Sequence, residues 1–347
     1  MSASSVSPTA SPATPERIMQ MAWGFSITRA LSTSLELELF RHVADGKRTP
    51  AELAKAASAT PRGVAMIVDA MVGLGLLVRA GVGREAPVSL APDADLFLVK
   101  GKSSYIGEFV LFHSHFIDAQ WRSLTDVVRT GTPAVALDQP TQGVPVWHEL
   151  VDALFAVGFK AAQQVGVELA TRHPGKAIRL LDVAAGSGVW GLGAATTNPS
   201  VRATFQDLPE TLTHTKRWVE RMGLGARADY LPGDLRHVDF GTGRFDAAVL
   251  GHICHSEGAA PSRALLAKVA QALTPGGTIV IAEFVPNADR NGPPLPLLFA
   301  LNMLVNTSEG DTFTFAEYAA WLKAAGFEDV RQVDAPAPSP LIVATKA

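Results

Sequence analysis

The chain has 347 residues, of which 47% are hydrophobic and 18% charged. That is more than one small domain holds, and it is enough apolar material to exclude water from two cores. A formal net charge of -3 supplies no broad positive field for a phosphate backbone, so nucleic acid is not an expected partner. The one cysteine, Cys254, excludes an intramolecular disulfide and fits a reducing compartment, with the cytoplasm as the expectation.

Residues 1–15, MSASSVSPTASPATP, are small and polar, lack the basic start and apolar run of a secretory signal, and read as a disordered tail. From Glu16 to about Phe40, RIMQMAWGFSITRALSTSLELELF repeats apolar residues at three and four, which predicts a helix whose broad apolar face needs a partner. Two short helices broken around Thr60 and Pro61, then a strand from about Leu76, make a winged-helix pattern. Its second helix offers only Arg62 and the acidic Asp69 where a DNA-recognition helix exposes several bases, so packing and dimerisation are the expected role. The segment YIGEFVLFHSHFIDAQWRSLTDVVRTG continues as an amphipathic helix pair carrying His113, His115, Phe116 and Trp121. Turn formers crowd TGTPAVALDQPTQGVP, the expected surface connection between an N-terminal module, 16–145, and a second module, 146–347. No apolar stretch reaches the ~18 uncharged residues of a membrane span. The run around Leu295 to Val305 is too short for one, so no membrane contact is expected.

After a helix from about Trp147 to His173, strand-like runs alternate with helical patterns, starting with IRLLDVAA, RATFQDLP, ARADYLPGD, FDAAVLGHI and GGTIVIAEF. This predicts an α/β fold with a mostly parallel sheet covered on both faces. Ligands of such sheets bind beyond the carboxyl ends of the strands, where LLDVAAGSGVWGLGAA turns on Gly186 and Gly188. GSGVWG also satisfies the weak GxGxxG pattern of dinucleotide binders. Against that reading stands Asp182, whose carboxylate next to the loop would repel a pyrophosphate and welcome a cationic amino-acid moiety. S-adenosylmethionine supplies one, together with a ribose for Asp207 at the end of the next strand.

LLDVAAGSG, FQDLPE, PGD, FDAAVLGHICHSEG, LTPGGTIVIAEF and FAEYAAWLKAAGF stand in the order and spacing of the class I S-adenosylmethionine-dependent methyltransferases. The chain resembles their two-domain small-molecule O-methyltransferases of plant phenolic and bacterial polyketide pathways, over nearly all of residues 16–347. The resemblance implies a winged-helix-like dimerisation domain before a Rossmann-like catalytic domain with a seven-stranded sheet, and hence a homodimer. It implies that Asp182, Gly186 and Gly188 surround the methionine end of the cofactor, that Asp207 with its neighbour Leu208 lines the ribose, and that Asp234 with Leu235 borders the adenine.

The family's general base corresponds to His255 in HICHSEG, with Glu283 placed to orient it. The departures are Ser256 and Glu257, where plant members have Asp-Trp, and Thr312, near where many members carry a second acid; Glu309 and Asp311 stand close to it. A metal site from His252, Cys254, His255 and Glu257 is a minority reading, because an extended segment points these side chains apart, and no metal is expected. C- or N-methylation, or cofactor binding without transfer, stays open. For a flat aromatic acceptor the expected walls are Phe155, Phe159, Phe299 and Met303, with Asn302 and Asn306, four apart on one helical face, fixing a carbonyl or hydroxyl.

Overall fold

The computed structural model describes residues 13–336 and 338–347, so most of the expected tail, residues 1–12, lies outside the described residues. The chain divides into two compact units between Lys102 and Ser103. The sequence placed this boundary at 145/146, and the difference has a physical cause. Residues 103–145 are fastened to the second unit by Ala134 N to Val305 O and Leu137 N to Asn306 O, both 2.8 Å, and by Trp121 Nε1 to Asn302 Oδ1 at 2.9 Å.

The first unit contains α1 (Glu16–Ala22), α2 (Gly24–Glu36), α3 (Leu39–Ala44), α4 (Pro50–Ala56), α5 (Pro61–Gly73), β1 (Leu77–Arg79), β2 (Val88–Leu90) and α6 (Pro92–Phe97). The single helix expected from Glu16 to Phe40 is three, because the chain turns at Trp23 and again at Glu38, which adopts left-handed backbone at φ 49°. Thr49 and Glu52 form a reciprocal capping box before α4, and Thr60 Oγ1 accepts from Gly63 N before α5, each helix starting on a proline. Leu53, Val64, Val68 and Met71 make the core beneath the β1–β2 hairpin. Asp69 is held by Arg79 and Arg84.

The second unit opens with α7 (Gly107–Phe112), a π-helical turn at His113–Ile117, α8 (Asp118–Trp121), α9 (Leu124–Thr130) and α10 (Pro140–Arg172). There follow β3 (Ile178–Val183), α11 (Val189–Thr197), β4 (Val201–Asp207), α12 (Leu212–Arg221), β5 (Ala228–Pro232), β6 (Phe245–Gly251), α13 (Cys254–Glu257), α14 (Ala259–Ala272) and β7 (Leu273–Ala282). α15 (Pro294–Asn306), α16 (Phe315–Ala324), β8 (Phe327–Val333) and β9 (Leu341–Lys346) complete it. The seven-stranded sheet runs β5-β4-β3-β6-β7-β9-β8, parallel except where β9 pairs antiparallel with β7 and β8. Along β3 the side chains alternate between two cores: Leu180 joins α10 and α11, while Leu181 and Val183 join α14 and α16.

Within α10, Leu150–Arg172 is long and apolar enough to cross a membrane by length and composition, which amends the expectation that no such stretch exists. Its four charges, Asp152, Lys160, Glu168 and Arg172, hide the run from a search for uncharged residues. Ala161, Ala162, Val165 and Leu169 on this helix are fully buried against α11 and the sheet, as in the core helix of an α/β domain.

Candidate functional site

The strand order reverses between β3 and β6, both of which pair in parallel with each other and with a strand on the far side. The crevice beyond their carboxyl ends is where ligands of such sheets bind. Each strand leaves the sheet through a non-glycine residue in left-handed backbone, Ala184 at φ 53° after β3 and His252 at φ 59° after β6. Backbone of this kind costs on the order of 1–3 kcal/mol and concentrates at functional sites.

On the β3 side the loop Ala184–Gly188 is cross-tied. Gly188 stands at φ 77° with Phe205 and Thr215 behind it, so a side chain there would be both strained and crowded. Asp207 Oδ2 accepts from Gly186 N at 2.8 Å and Oδ1 from Leu208 N at 2.7 Å, and burial pushes its carboxyl above the usual range. The Thr211 side chain also hydrogen-bonds this carboxylate, which of its four lone-pair sites keeps one for a ligand hydroxyl. The sequence did not single out Gln206, whose buried amide accepts from Ala184 N at 3.3 Å and donates to Gly233 O at 2.7 Å. It ties the glycine loop to the turn before Asp234, where Asp234 Oδ1 accepts from Arg236 N and Leu235 O accepts from Lys268 Nζ.

Asp182 departs from the expected placement. It is fully buried, and its Oδ2 accepts from Gly191 N at 2.7 Å, bracing the first turn of α11; its Oδ1 has no partner and burial drives its pKa well up. The side chain therefore supports the loop from beneath and does not lie beside its open face.

On the β6 side α13 begins at Cys254, and the buried His255 ring makes a 2.7 Å contact from Nδ1 to Glu283 Oε2, at the end of β7. Glu283 Oε1 also accepts from His255 N at 3.1 Å. Burial would raise the Glu283 pKa, but the His255 ring and its hydrogen bonds outweigh it and hold the carboxyl below the usual range. An ionised carboxylate only accepts, so Nδ1 carries a proton and donates it to Glu283, leaving Nε2 as the ring nitrogen that can meet a ligand. No partner for Nε2 occurs among the described residues.

Of the α15 residues, Phe299 meets this ring, Met303 lies by Gly310 next to the His255 carbonyl, and Asn302 and Asn306 bond to each other and to the 103–145 segment. Phe299 packs edge-on to His255 at 4.9 Å between centroids and lies 4.2 Å from Phe284. Asn306 is buried and donates to Asn302 O and Oδ1, while its own Oδ1 is left without a partner. Phe155 and Phe159 are not part of this group. Phe155 stacks on Trp218 at 3.7 Å and on Phe159 at 5.3 Å, filling the core between α10 and α12.

Of the acids near Thr312, Glu309 is exposed, and Asp311 Oδ1 accepts from Thr312 N while lying 3.7 Å from Arg290. Asp311 meets the base only through its backbone N to His255 O. The four residues of the metal reading have separate partners: His252 meets Ser339, Cys254 is buried with its thiol pKa driven up, His255 meets Glu283, and Glu257 pairs with Arg236.

His252 stacks on Phe284 and sets its edge against Trp190, whose indole occupies the space that a Cβ at Gly251 would need. Burial, opposed by Glu283 and aided by His255, lowers its pKa from 6.5 to about 4. A histidine held neutral stabilises the fold fully above about pH 6.5, and that stability is lost as pH falls toward about 4. At 1.36 kcal/mol per unit the loss is about 3 kcal/mol. His252→Asn, which tolerates left-handed backbone, is expected to flatten the stability curve in that window; denaturant unfolding at several pH values checks it, and unchanged slopes would refute it.

Comparison with known proteins agrees with this geometry. The O-methyltransferase domain profile matches residues 121–328 and the O-methyltransferase dimerisation domain profile residues 19–100. The tetracenomycin polyketide synthesis 8-O-methyl transferase of Streptomyces glaucescens is 33% identical, over 96% of this chain and 97% of that protein. The 3-hydroxy-5-methyl-1-naphthoate 3-O-methyltransferase of Streptomyces sahachiroi is 28% identical, over 92% and 91%. Human N-acetylserotonin methyltransferase, solved with S-adenosylmethionine, shares the fold at a TM-score of 0.82 and 23% identity, over 97% of this chain and 99% of that one. The chain therefore belongs to the O-methyltransferase family and is an S-adenosylmethionine-dependent enzyme.

Proposed function

We propose that the enzyme methylates a phenolic hydroxyl of a small aromatic metabolite of polyketide type, with His255 as general base. The observation that carries this reading is the buried His255 and Glu283 pair, whose Nε2 has no partner among the described residues and whose ring packs against Phe299 of α15. A phenol has an ordinary pKa of about 10, and a neutral imidazole held at the right place can accept its proton as the oxygen attacks. Glu283, kept ionised, holds the ring in that tautomer and stabilises the imidazolium that forms. Phe299 and Met303 offer apolar walls, and the unpartnered Asn306 Oδ1 offers an acceptor to a second hydroxyl. The kinship with polyketide and naphthoate O-methyltransferases supports the acceptor class.

When bound, S-adenosylmethionine supplies a methyl group already activated on a sulfonium. Asp207 and Leu208 are assigned to its ribose, Gly186 and Gly188 to its methionine end, with Asp182 bracing the loop, and Asp234 and Leu235 to its adenine. These residues fit that cofactor: the Asp207 carboxylate, with acceptor capacity left over, adjoins a loop that carries no side chains at Gly186 and Gly188. The chain's share of the work is alignment and proton removal. Incubation with methyl-labelled cofactor and a panel of phenolic naphthoates and fused-ring polyketides tests the reading. Label recovered on oxygen is expected, and label on carbon or nitrogen, or none, would overturn it.

We also infer a homodimer built through the first unit, in the cytoplasm. Ile18, Met19, Met21, Trp23, Phe25 and Ile27 of α1 and α2 and the turn between them are all more than half exposed, a face that a second copy would cover, within the region matching the dimerisation domain. In a symmetric dimer each change counts twice. Losing ~2 kcal/mol of burial per side through Trp23→Glu is expected to weaken association by about 10³-fold. Sedimentation measures it, and an unchanged dimer would place the interface elsewhere.

A further inference from the structure

A second cluster of titratable side chains lies outside the catalytic pair, on the faces of α10 and α12 that meet. His148 Nδ1 is 2.7 Å from His214 Nε2, and His214 Nδ1 is 3.1 Å from Asp152 Oδ2. Asp152 also accepts from Arg217 Nη2 at 2.7 Å and from Trp218 Nε1 at 2.8 Å, and Arg217 Nη2 lies 2.7 Å from His214 Nδ1. His214 is buried and His148 is exposed. The chain thus spends a carboxylate and a buried imidazole on fixing one exposed imidazole, whose Nε2 is left pointing away from its supports.

The packing of α10 shows where that imidazole stands. The helix runs parallel to α11: its Val151 lies against Gly186, its Gly158 against Val189, and its Gly166 against Ala194 and Thr197. One turn further toward the N-terminus of α10 therefore carries His148 past the glycine loop, toward the open side of the N-terminus of α11. The adjoining helix is tied to the same loop, because Thr215 Oγ1, next to His214, donates to Gly186 O at 2.7 Å.

A ligand lying over this loop brings an α-carboxylate as well as an ammonium, and the carboxylate needs donors. Two loop amides are already committed, Gly186 N to Asp207 and Gly188 N to Ala185 O. We propose that His148, positioned by His214 and Asp152, binds the α-carboxylate of the cofactor's amino-acid moiety. The proton arrangement that serves this role has His214 Nδ1 accepting from Arg217 and His214 Nε2 donating to His148 Nδ1, so that His148 Nε2 bears the hydrogen that meets the anion. This inference rests on the placement of the cofactor over the glycine loop proposed above.

The test compares S-adenosylhomocysteine with its analogue lacking only the carboxyl group, by calorimetric titration of the full-length protein. The wild type is expected to prefer the carboxylate-bearing ligand by about 10- to 100-fold, the range for a hydrogen bond to a charged group. His148→Phe is expected to erase most of that preference while leaving the affinity for the analogue unchanged, and His148→Gln, which keeps an N–H, to restore part of it. A full preference in His148→Phe, or equal losses for both ligands, would overturn the assignment and leave the relay as a tie between two helices. Asp207→Asn serves as the control. If it weakens both ligands while the His148 contrast stays flat, only this inference fails; if it weakens neither, the loop is not the cofactor site and both fail.

Discussion

His255→Gln is expected to lower kcat by about 10²–10⁴-fold, the usual contribution of a positioned general base, while leaving the affinity for S-adenosylhomocysteine within about twofold, since no cofactor group is assigned to Nε2. The selectivity is the point of the test. His255 touches Glu283, Phe299 and Phe284, whereas the glycine loop hangs on Asp207 and Gln206. Loss of turnover with intact cofactor binding separates proton removal from binding. If the variant retains full activity on a phenol, the proton leaves by another route. Glu283→Gln should lower kcat in the same direction, because the amide can present its N–H to Nδ1 and favour the tautomer in which Nε2 bears hydrogen.

Asp207→Asn should weaken S-adenosylhomocysteine by about 10²-fold or more. Two effects act together. The carboxylate's hydrogen bond to a ribose hydroxyl would have contributed about 1.5–3 kcal/mol, as bonds to a charged group do. The new amide nitrogen must also face either Gly186 N or Leu208 N, which are donors now satisfied at 2.8 and 2.7 Å. The loop would then lose the tie that shapes it. Equilibrium titration measures the loss, and an unchanged affinity would remove Asp207 from the ribose site.

Much of this was readable in the chain because the determining signals are local. Strands alternating with helices dictate a covered parallel sheet, and the winged-helix hairpin follows from prolines, capping threonines and short apolar runs. Asp207, Gly186, His255 and Glu283 sit at strand ends, where position along the chain fixes position in the fold. The misplacements have particular causes. Asp182 shares the even side of β3 with Leu180, which faces α11, so the period of two already aimed its carboxylate at the helix and away from the loop's open face. Phe155 and Phe159 stand on α10, where apolar spacing cannot say whether the stripe meets a ligand or Trp218. The turn-rich segment from Thr130 looked like a linker because composition records flexibility of residues, not the backbone bonds that fasten Ala134 and Leu137 to α15. The pairing of His148 with His214 spans 66 residues, and only the docking of α10 on α12 creates it.

For His255 to act as the base, one crevice must bring the phenolic oxygen, the methyl-bearing sulfur and His255 Nε2 into line. A crystal structure of the protein with S-adenosylhomocysteine and an accepted phenol measures this directly. The expected result is the cofactor product over Gly186–Gly188, its ribose on Asp207, and the acceptor oxygen about 2.6–3.2 Å from His255 Nε2 on the side facing the sulfur. An acceptor oxygen held elsewhere, with His255 Nε2 turned from both ligands, would contradict it.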